Sequence, residues 1–151
     1  MRVLAVLLAI AFLVGSAVAQ EGKGLQLKDL PAAVRKTVQD NLKGGEIRNI
    51  GKEKEDGIEQ YEVETVLNGK SRDFSVDVRG NLLVVEVATT IDAVPIAARA
   101  SILKKVADGK LKVVETFTKT GQPVMYEASW SDKKGKKHEV LVKADGAETT
   151  E

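Results

Sequence analysis

The sequence of 151 residues contains no cysteine and a single histidine, His138. Without cysteine the chain has no disulfide framework and no thiol redox chemistry, so its stability depends on a buried core. A zinc site of cysteine and histidine ligands is excluded for the same reason. The calcium-loop pattern DxDxDG and the phosphate-binding orders GxGxxG and GxxxxGK are also missing. We therefore expect no metal and no cofactor.

Only one long hydrophobic run is present, and it lies at the amino terminus. Residues 3–19 are all apolar or small and end in an A-x-A pattern at Ala17 and Ala19, which is typical of a cleaved signal peptide. The alternative is an uncleaved membrane anchor, but the run is shorter than the roughly 20 residues that span a bilayer. The pattern predicts a signal peptide over residues 1–19 and an exported protein, periplasmic or secreted, with no stable membrane insertion after cleavage.

An excess of charge of either sign is also missing. Cleavage after residue 19 removes Arg2 and no acidic residue, which leaves 22 basic and 22 acidic residues. A neutral chain has no general electrostatic attraction for nucleic acid or anionic membrane. We expect no nucleic-acid partner.

The rest of the sequence alternates between a helical pattern and strand-like runs. Pro31 opens a helix in which apolar residues recur every four positions from Leu30 to Leu42. Runs of alternating apolar and polar residues follow, separated by Asp-Gly and Asn-Gly hairpin signals. The same order restarts at Val94–Pro95, and the offset is 64 residues between Pro31 and Pro95 and 66 between Gly80 and Gly146. A period near 64 predicts two copies of one unit.

This repeat predicts an α+β fold of two tandem helix-plus-antiparallel-sheet units, each burying its helix on its own sheet. The predicted organisation is a signal peptide at 1–19, a flexible leader at 20–26, a first unit at 27–88, a linker at 89–93, a second unit at 94–146 and a disordered tail at 147–151.

Three short motifs carry a resemblance to a known family. The helix opening "LPAAVRKTV", the strand "YEVE" and the strand ending "FSVDVRGNLL" resemble the PepSY-like superfamily. The repeated arrangement resembles the beta-lactamase-inhibitor-like proteins grouped with it. The likeness covers about residues 27–146. It implies a secreted or periplasmic protein of two tandem PepSY-like units that binds a partner, with inhibition of peptidases among the proposed functions.

The aromatic content departs from those inhibitors, which present an aromatic-rich concave sheet to their enzyme. Beyond residue 19 this chain has five aromatic residues, namely Tyr61, Phe74, Phe117, Tyr126 and Trp130. Two helix-on-sheet cores can absorb most of them. The difference argues against beta-lactamase inhibition itself.

Candidate partner-binding residues lie in two neighbouring stretches. Tyr126 and Trp130 share one strand face, which is either part of the core or the anchor of a binding surface. A lysine-rich turn follows, and it either meets an anionic partner or serves as a soluble turn that discourages edge pairing. Its lysines are Lys133, Lys134, Lys136 and Lys137.

No catalytic residue is predicted. His138 is expected to be a solvated residue at the start of a strand. The carboxylates of Glu59, Glu62 and Glu64 alternate with apolar residues, which indicates the solvent face of a strand in place of an acid–base pair.

These observations predict a non-enzymatic exported binding module, with inhibition of a peptidase or another envelope hydrolase as its finer function. Its partner is then a protein or an anionic envelope component. One alternative is a structural cell-envelope protein with no soluble partner. The other is a small carboxylate-dependent hydrolase, which requires a pocket that holds two acidic residues with raised pKa values.

Overall fold

The computed structural model describes residues 24–55 and 57–150. The predicted signal peptide and most of the leader lie outside these residues. Two α-helices are present in the described part, α1 at Ala32–Leu42 and α2 at Ile96–Val106. The strands are β1 Glu46–Glu55, β2 Ile58–Leu67, β3 Lys70–Asp77, β4 Leu82–Ala88, β5 Lys110–Lys119, β6 Met125–Ser131, β7 Lys137–Lys143 and β8 Glu148–Thr149.

The strands form one antiparallel sheet in the order in which they occur along the chain. The prediction of two tandem helix-plus-sheet units is therefore wrong. The two halves of the chain share the sheet because β4 pairs with β5, from Val84 opposite Lys119 to Ala88 opposite Glu115. This pairing places the apolar strand β4 in the middle of the sheet, which explains why its sequence is apolar on both faces.

Both helices pack on the same face of this sheet. Val85 packs with α1 in the first core cluster, and Val87, two residues further along β4, points to the same side. Val87 pairs with Thr116, which pairs with Tyr126 beside the second core cluster under α2. The opposite face of the sheet carries no helix among the described residues.

Each core cluster contains the apolar stripe of one helix. Val34 and Val38 of α1 are fully buried, as are Ala98 and Ile102 of α2. Burial of each valine or isoleucine side chain contributes about 1.5–3 kcal/mol. The predicted helical stripes are confirmed by this packing.

A close contact with a turn fixes each helix on the sheet. The Thr37 hydroxyl of α1 donates a hydrogen bond of 2.6 Å to the carbonyl oxygen of Gly80, in the turn between β3 and β4. The Ser101 hydroxyl of α2 donates an equivalent bond of 2.8 Å to Gly146, in the turn between β7 and β8. Both glycines have positive φ, and a Cβ on Gly80 would lie 2.9 Å from the backbone of Ala33.

Smaller details differ from the expectations. Val78 continues the apolar alternation of Phe74 and Val76 in the sequence, but it is exposed and lies beyond the end of β3. Glu148 and Thr149, in the segment 147–151 predicted to be disordered, form β8 at the edge of the sheet. None of the helices in the described ranges is long and apolar enough to cross a membrane.

The contacts between helices and turns predict that alanine substitutions at different glycines of positive φ will destabilise the protein to different extents. We expect Gly80→Ala to lower the free energy of unfolding by about 2–4 kcal/mol, because it adds a steric clash with α1 to the cost of a left-handed alanine. Gly69→Ala is the matched control, since Gly69 also has positive φ but nothing lies within 4 Å of its Cβ position. It should cost about 1 kcal/mol. Equal losses for both variants in urea denaturation would contradict the proposed contact.

Trp130 provides a spectroscopic test of the second core, since it is the single tryptophan of the chain and 8% exposed. We expect its fluorescence emission to be blue-shifted from that of the urea-unfolded protein. Trp130→Ala should destabilise the protein by about 3–5 kcal/mol, because it leaves a large cavity under α2. An emission maximum equal to that of the unfolded chain would show that this core is not formed.

Candidate functional site

The helix-free face of the sheet carries most of the chain's half-buried carboxylates. Because side chains alternate along a strand, residues that pair directly across neighbouring strands lie on the same face. Pairs on this face include Glu62 with Ser75, Asp73 with Glu86, Glu115 with Ala88 and with Glu127, and Ser129 with Glu139.

The acidic residues of these pairs surround a cavity of about 590 Å³. Residues from β2 through to β7 line it together, so the sheet must curve around it. We call it the acidic cavity, because six carboxylates and only two lysines, Lys112 and Lys137, contribute to its lining. The six carboxylates are those of Glu62, Asp73, Glu86, Glu115, Glu127 and Glu139.

An apolar cluster on the same face supports this curvature. Phe117, Met125 and Leu141 are buried and pack with Val84. Phe117 pairs with Glu86 on one side and Met125 on the other, so the cluster lies on the helix-free face. Because no helix covers it there, the neighbouring strands themselves must shield it from water.

Irregular pairing accompanies the curvature. The register shifts between Ile47 and Asn49 in β1, between Ser75 and Val76 in β3, and between Leu111 and Val113 in β5. A β-bulge bends its strand and increases the local twist. The bulges therefore help an open sheet to curl around its helix-free face.

Glu62 is the most perturbed carboxyl of the cavity. Its pKa is raised from the ordinary value of 4.5 to about 7, mainly by burial and also by the negative charges of Glu53, Glu64, Asp73 and Glu55. Burial disfavours the charged form of a carboxyl, and neighbouring like charges do the same. Near neutral pH, Glu62 is therefore present in both protonation states.

Asp73 and Glu115 lie on either side of β4 and repel each other. Burial raises the pKa of Glu115, and the charge of Asp73 adds to the rise. The pKa of Asp73 is also raised, mainly by burial, although the Thr65 N–H and the Ser71 hydroxyl donate hydrogen bonds of 2.9 Å and 3.0 Å to its carboxylate. These bonds fix the position of the Asp73 side chain.

Glu139 completes the perturbed set at the β7 side. Burial raises its pKa, and the positive charge of Lys137 partly offsets the rise. No group of three acidic, histidine or cysteine residues in the described ranges is placed to hold a metal ion. The arrangement therefore concentrates negative charge in a partly dehydrated space without forming a metal-ligand cage.

The structure distributes the predicted aromatic residues between core and cavity. Trp130 belongs to the second core cluster under α2, and the half-buried Tyr126 packs against that cluster. Trp130 also lines the acidic cavity, and its ring stacks on that of His138 with centroids 5.4 Å apart. His138 is thus half-buried, where a solvated residue was expected.

The lysine-rich turn is organised by a carboxylate. Asp132 accepts hydrogen bonds from the N–H groups of Lys134 and Lys136, at 2.8 Å and 2.9 Å, and its other oxygen lies 3.0 Å from Nε2 of His138. The contact with His138 is the main reason why the pKa of Asp132 is lowered. Lys133 forms an ion pair with Asp108.

The four lysines therefore do not form one surface. Lys137 lines the acidic cavity, whereas Lys134 and Lys136 are exposed at the tip of the hairpin.

The sequence prediction missed the acidic cavity. Glu62 was expected to face solvent, but it is half-buried in the cavity, while Glu59 and Glu64 are exposed as expected. The signal available in the sequence was the occurrence of single acidic residues within apolar strands, as at Glu86 and Glu115. An acidic residue within an otherwise apolar strand indicates a carboxyl group that is partly buried.

Glu62 predicts a specific dependence of stability on pH. Its pKa in the folded protein, about 7 against 4.5, is raised, so the folded state binds more protons than the unfolded state between these values. The free energy of unfolding therefore falls as the pH rises through that window. Glu62→Gln removes this contribution and should be more stable than the wild type at pH 8 by about 1–2 kcal/mol, a value reduced for partial exposure.

Urea denaturation at pH 5 and pH 8 measures this difference. Glu59→Gln is the control, because it removes the same charge from an exposed position of the same strand. A Glu62→Gln variant with the pH dependence of the wild type would contradict the assignment.

Comparison with known proteins gives matches by structure only, as no family model and no curated protein matches the sequence. A protein from Bacteroides eggerthii that is predicted to be periplasmic has a TM-score of 0.65 and 14% identity, over 80% of this chain and 86% of that one. A DUF2874 family protein from Bacteroides ovatus has a TM-score of 0.63 and 13% identity, over 80% and 85%.

A third solved structure is a BLIP-like protein from Bacteroides fragilis. Its TM-score is 0.59 and its identity 15%, over 80% of this chain and 84% of that one. Similarities of this kind extend over most of each chain and concern the fold alone. The protein therefore has a BLIP-like fold.

Proposed function

We propose that this protein is an exported, non-enzymatic binding module that receives its partner on the helix-free face of the sheet. The acidic cavity is the observation that carries this proposal. Its volume of about 590 Å³ lies within the range of 300–1,000 Å³ typical of ligand pockets. Carboxyl groups whose pKa values are shifted by burial and by neighbouring charges in a concave site are candidates for a functional site.

Export is supported by two independent observations. Residues 1–19 have the pattern of a signal peptide, and one structural neighbour is predicted to be periplasmic. The chain has no cysteine that could pair in an oxidising compartment, so its two packed cores must supply the stability that disulfides supply elsewhere.

A protein is the partner that the surface fits best. The exposed Val113 side chain and the Trp130 side chain form an apolar part of the cavity lining beside the carboxylates. A surface that combines apolar and charged residues is typical of protein interfaces. Lys137 also belongs to this surface. We propose Lys133, Lys134 and Lys136 as its rim, since their hairpin adjoins the cavity, and Tyr126 as support for Trp130 from the core.

Inhibition of a peptidase or another envelope hydrolase is the finer form of this proposal. The similarity to a BLIP-like structure supports it, as does a concave sheet large enough to receive a loop of an enzyme. The few aromatic residues of this chain belong largely to its cores, so an inhibitor of this kind would depend on charge more than on aromatic anchors.

A second candidate function is favoured by one specific observation. A carboxylate-dependent hydrolase requires a pocket with two acidic residues of raised pKa, and Asp73 and Glu115 meet that requirement. A general acid is held protonated by such an environment while a second carboxylate acts as base. Turnover of a glycoside or peptide substrate by the purified chain, lost in Asp73→Asn and in Glu115→Gln, would support the hydrolase over the binding module.

Capture of the partner tests the binding module directly. Residues 20–151 are immobilised and exposed to the exported fraction of the source organism, and retained proteins are quantified by mass spectrometry. We expect Val113→Arg to reduce retention of the specific partner by about tenfold, because a charged side chain then intrudes on the docking face. For a hydrolase partner, adding the wild-type chain should reduce its activity in proportion to binding.

Leu103→Arg is the matched control, since Leu103 is exposed on α2 to a similar extent, 48% against 38% for Val113. It should retain the partner as the wild type does. Equal retention by both variants, or the absence of any specific protein, would contradict docking on the helix-free face.

A further inference from the structure

The outer side of α2 is apolar, although the outer side of a surface helix is usually polar. Ile96, Ala100 and Leu103 recur at intervals of four and three residues, so they lie along one side of the helix. All three are exposed, Ile96 to 78% and Leu103 to 48%. We call these three residues the outer stripe. It is separate from the buried side of α2, which packs on the sheet.

Helix α1 provides an internal comparison for the outer stripe. The hydroxyl groups that bind the two helices to their turns come from residues 64 positions apart, so the helices occupy equivalent places in the fold. At the same offset, the positions of Ala100 and Leu103 correspond to Lys36 and Gln39, which are exposed and polar. The shared fold therefore does not require apolar residues at these positions. They indicate a contact that α2 makes and α1 does not.

Positive charge accompanies the outer stripe. Helix α2 contains Arg99, Lys104 and Lys105 and no acidic residue. Arg99 forms an ion pair with Asp92, and Lys105 forms one with Glu148. Lys104 is exposed and forms no ion pair within the described residues. An uncompensated cation thus lies on the helix beside the exposed apolar side chains.

The lysine-rich turn extends this positive surface past the end of α2. Lys133 forms an ion pair with Asp108, which lies two residues after the helix, and Lys137 lines the acidic cavity. The turn is therefore accessible from both faces of the sheet. The ammonium groups of Lys134 and Lys136 are exposed and form no ion pair in the part of the chain that the structure describes.

The composition of this surface distinguishes among possible occupants. Protein interfaces are enriched in aromatic residues and depleted in lysine, whereas α2 and the turn are rich in lysine and contain no aromatic residue. A second copy of the chain would bring like charges together. A bilayer with anionic phospholipids fits both features, because it offers negative charge over a wide area and an apolar layer beneath its headgroups.

We propose that the outer stripe and the lysine-rich turn form a peripheral contact with membranes that contain anionic phospholipid. Ile96 and Leu103 enter the boundary between headgroups and acyl chains, and Lys104 remains at the level of the phosphates. The acidic cavity lies on the opposite face of the sheet from α2, so it is directed away from the membrane and stays open to a soluble partner. Repulsion between its carboxylates and the anionic surface favours the same orientation.

Sedimentation with lipid vesicles tests the proposal. Residues 20–151 are mixed with vesicles of phosphatidylglycerol and phosphatidylcholine in equal parts, or of phosphatidylcholine alone, and the bound fraction is measured against lipid concentration. At low salt we expect at least about tenfold stronger binding to the anionic vesicles, because several lysines act together near the surface. This preference should largely disappear at about 0.5 M salt, which screens the charges.

Matched variants of the two helices locate the contact, and each of them changes the net charge by the same amount. Leu103→Glu should weaken binding to the anionic vesicles about tenfold, whereas Gln39→Glu, at the equivalent position of α1, should change it less than about twofold. Lys104→Gln should weaken binding about fivefold, and Lys36→Gln should not. If Leu103→Glu fails to fold, Ile96→Glu replaces it, because Ile96 is the more exposed residue.

Three results would overturn the membrane contact. They are equal binding to anionic and neutral vesicles, no binding by the folded wild type at low salt, and equal losses in Leu103→Glu and Gln39→Glu. A wild-type dimer that Leu103→Glu dissociates, without vesicle binding, would assign the outer stripe to a second copy instead. Each of these failures leaves the proposed docking face intact, because that face is tested by Val113→Arg, which should bind vesicles as the wild type does.

Discussion

Two helices cover the same face of one continuous sheet, and the opposite face has no second layer in the described part of the chain. A sheet of eight strands in this situation can leave its second face open to water or curve and shield it. Here the bulged strands curve, and Phe117 and Leu141 are buried without any helix above them. The acidic cavity is a consequence of that curvature, since an alternating strand pattern places polar residues on the same face.

Curvature converts ordinary surface acids into perturbed ones. A glutamate on a flat, wet sheet keeps its charge at little cost, but Glu62 and Glu115 lose part of their hydration and face other carboxylates. The carboxylates on the helix-free face therefore destabilise the folded state, while the two cores under α1 and α2 stabilise it. Such an arrangement is expected where function and stability make opposing demands.

Much of the local structure could be predicted from the sequence. The apolar stripes of both helices, the prolines before them and the glycines at the hairpins indicated elements that the structure contains. The pairing of β4 with β5, which joins the two halves of the chain into one sheet, was not predictable from the sequence in the same way. Apolar residues on both faces of β4 show that the strand is covered, but a neighbour from the same half and one from the other half cover it equally well. Only the pairing of Val84–Ala88 with β5 decides between them.

The acidic cavity was hidden for a different physical reason. Alternation in "YEVE" assigned Glu62 to the polar face correctly, yet it contains no information on how strongly that face bends. Bending depends on bulges near Asn49, Val76 and Val113, each of which involves two strands, and pairing between strands is not a property of one local segment. The sequence therefore predicts the face of a residue more readily than its hydration.

The helix-free face of the sheet forms a partly dehydrated and acidic site. A titration of the side-chain carboxyl carbons by NMR tests this directly, because it measures the pKa of each carboxyl group separately. We expect Glu62 to titrate near pH 7, well above its ordinary value of 4.5. Titration of Glu62 near that ordinary value would contradict the site described here.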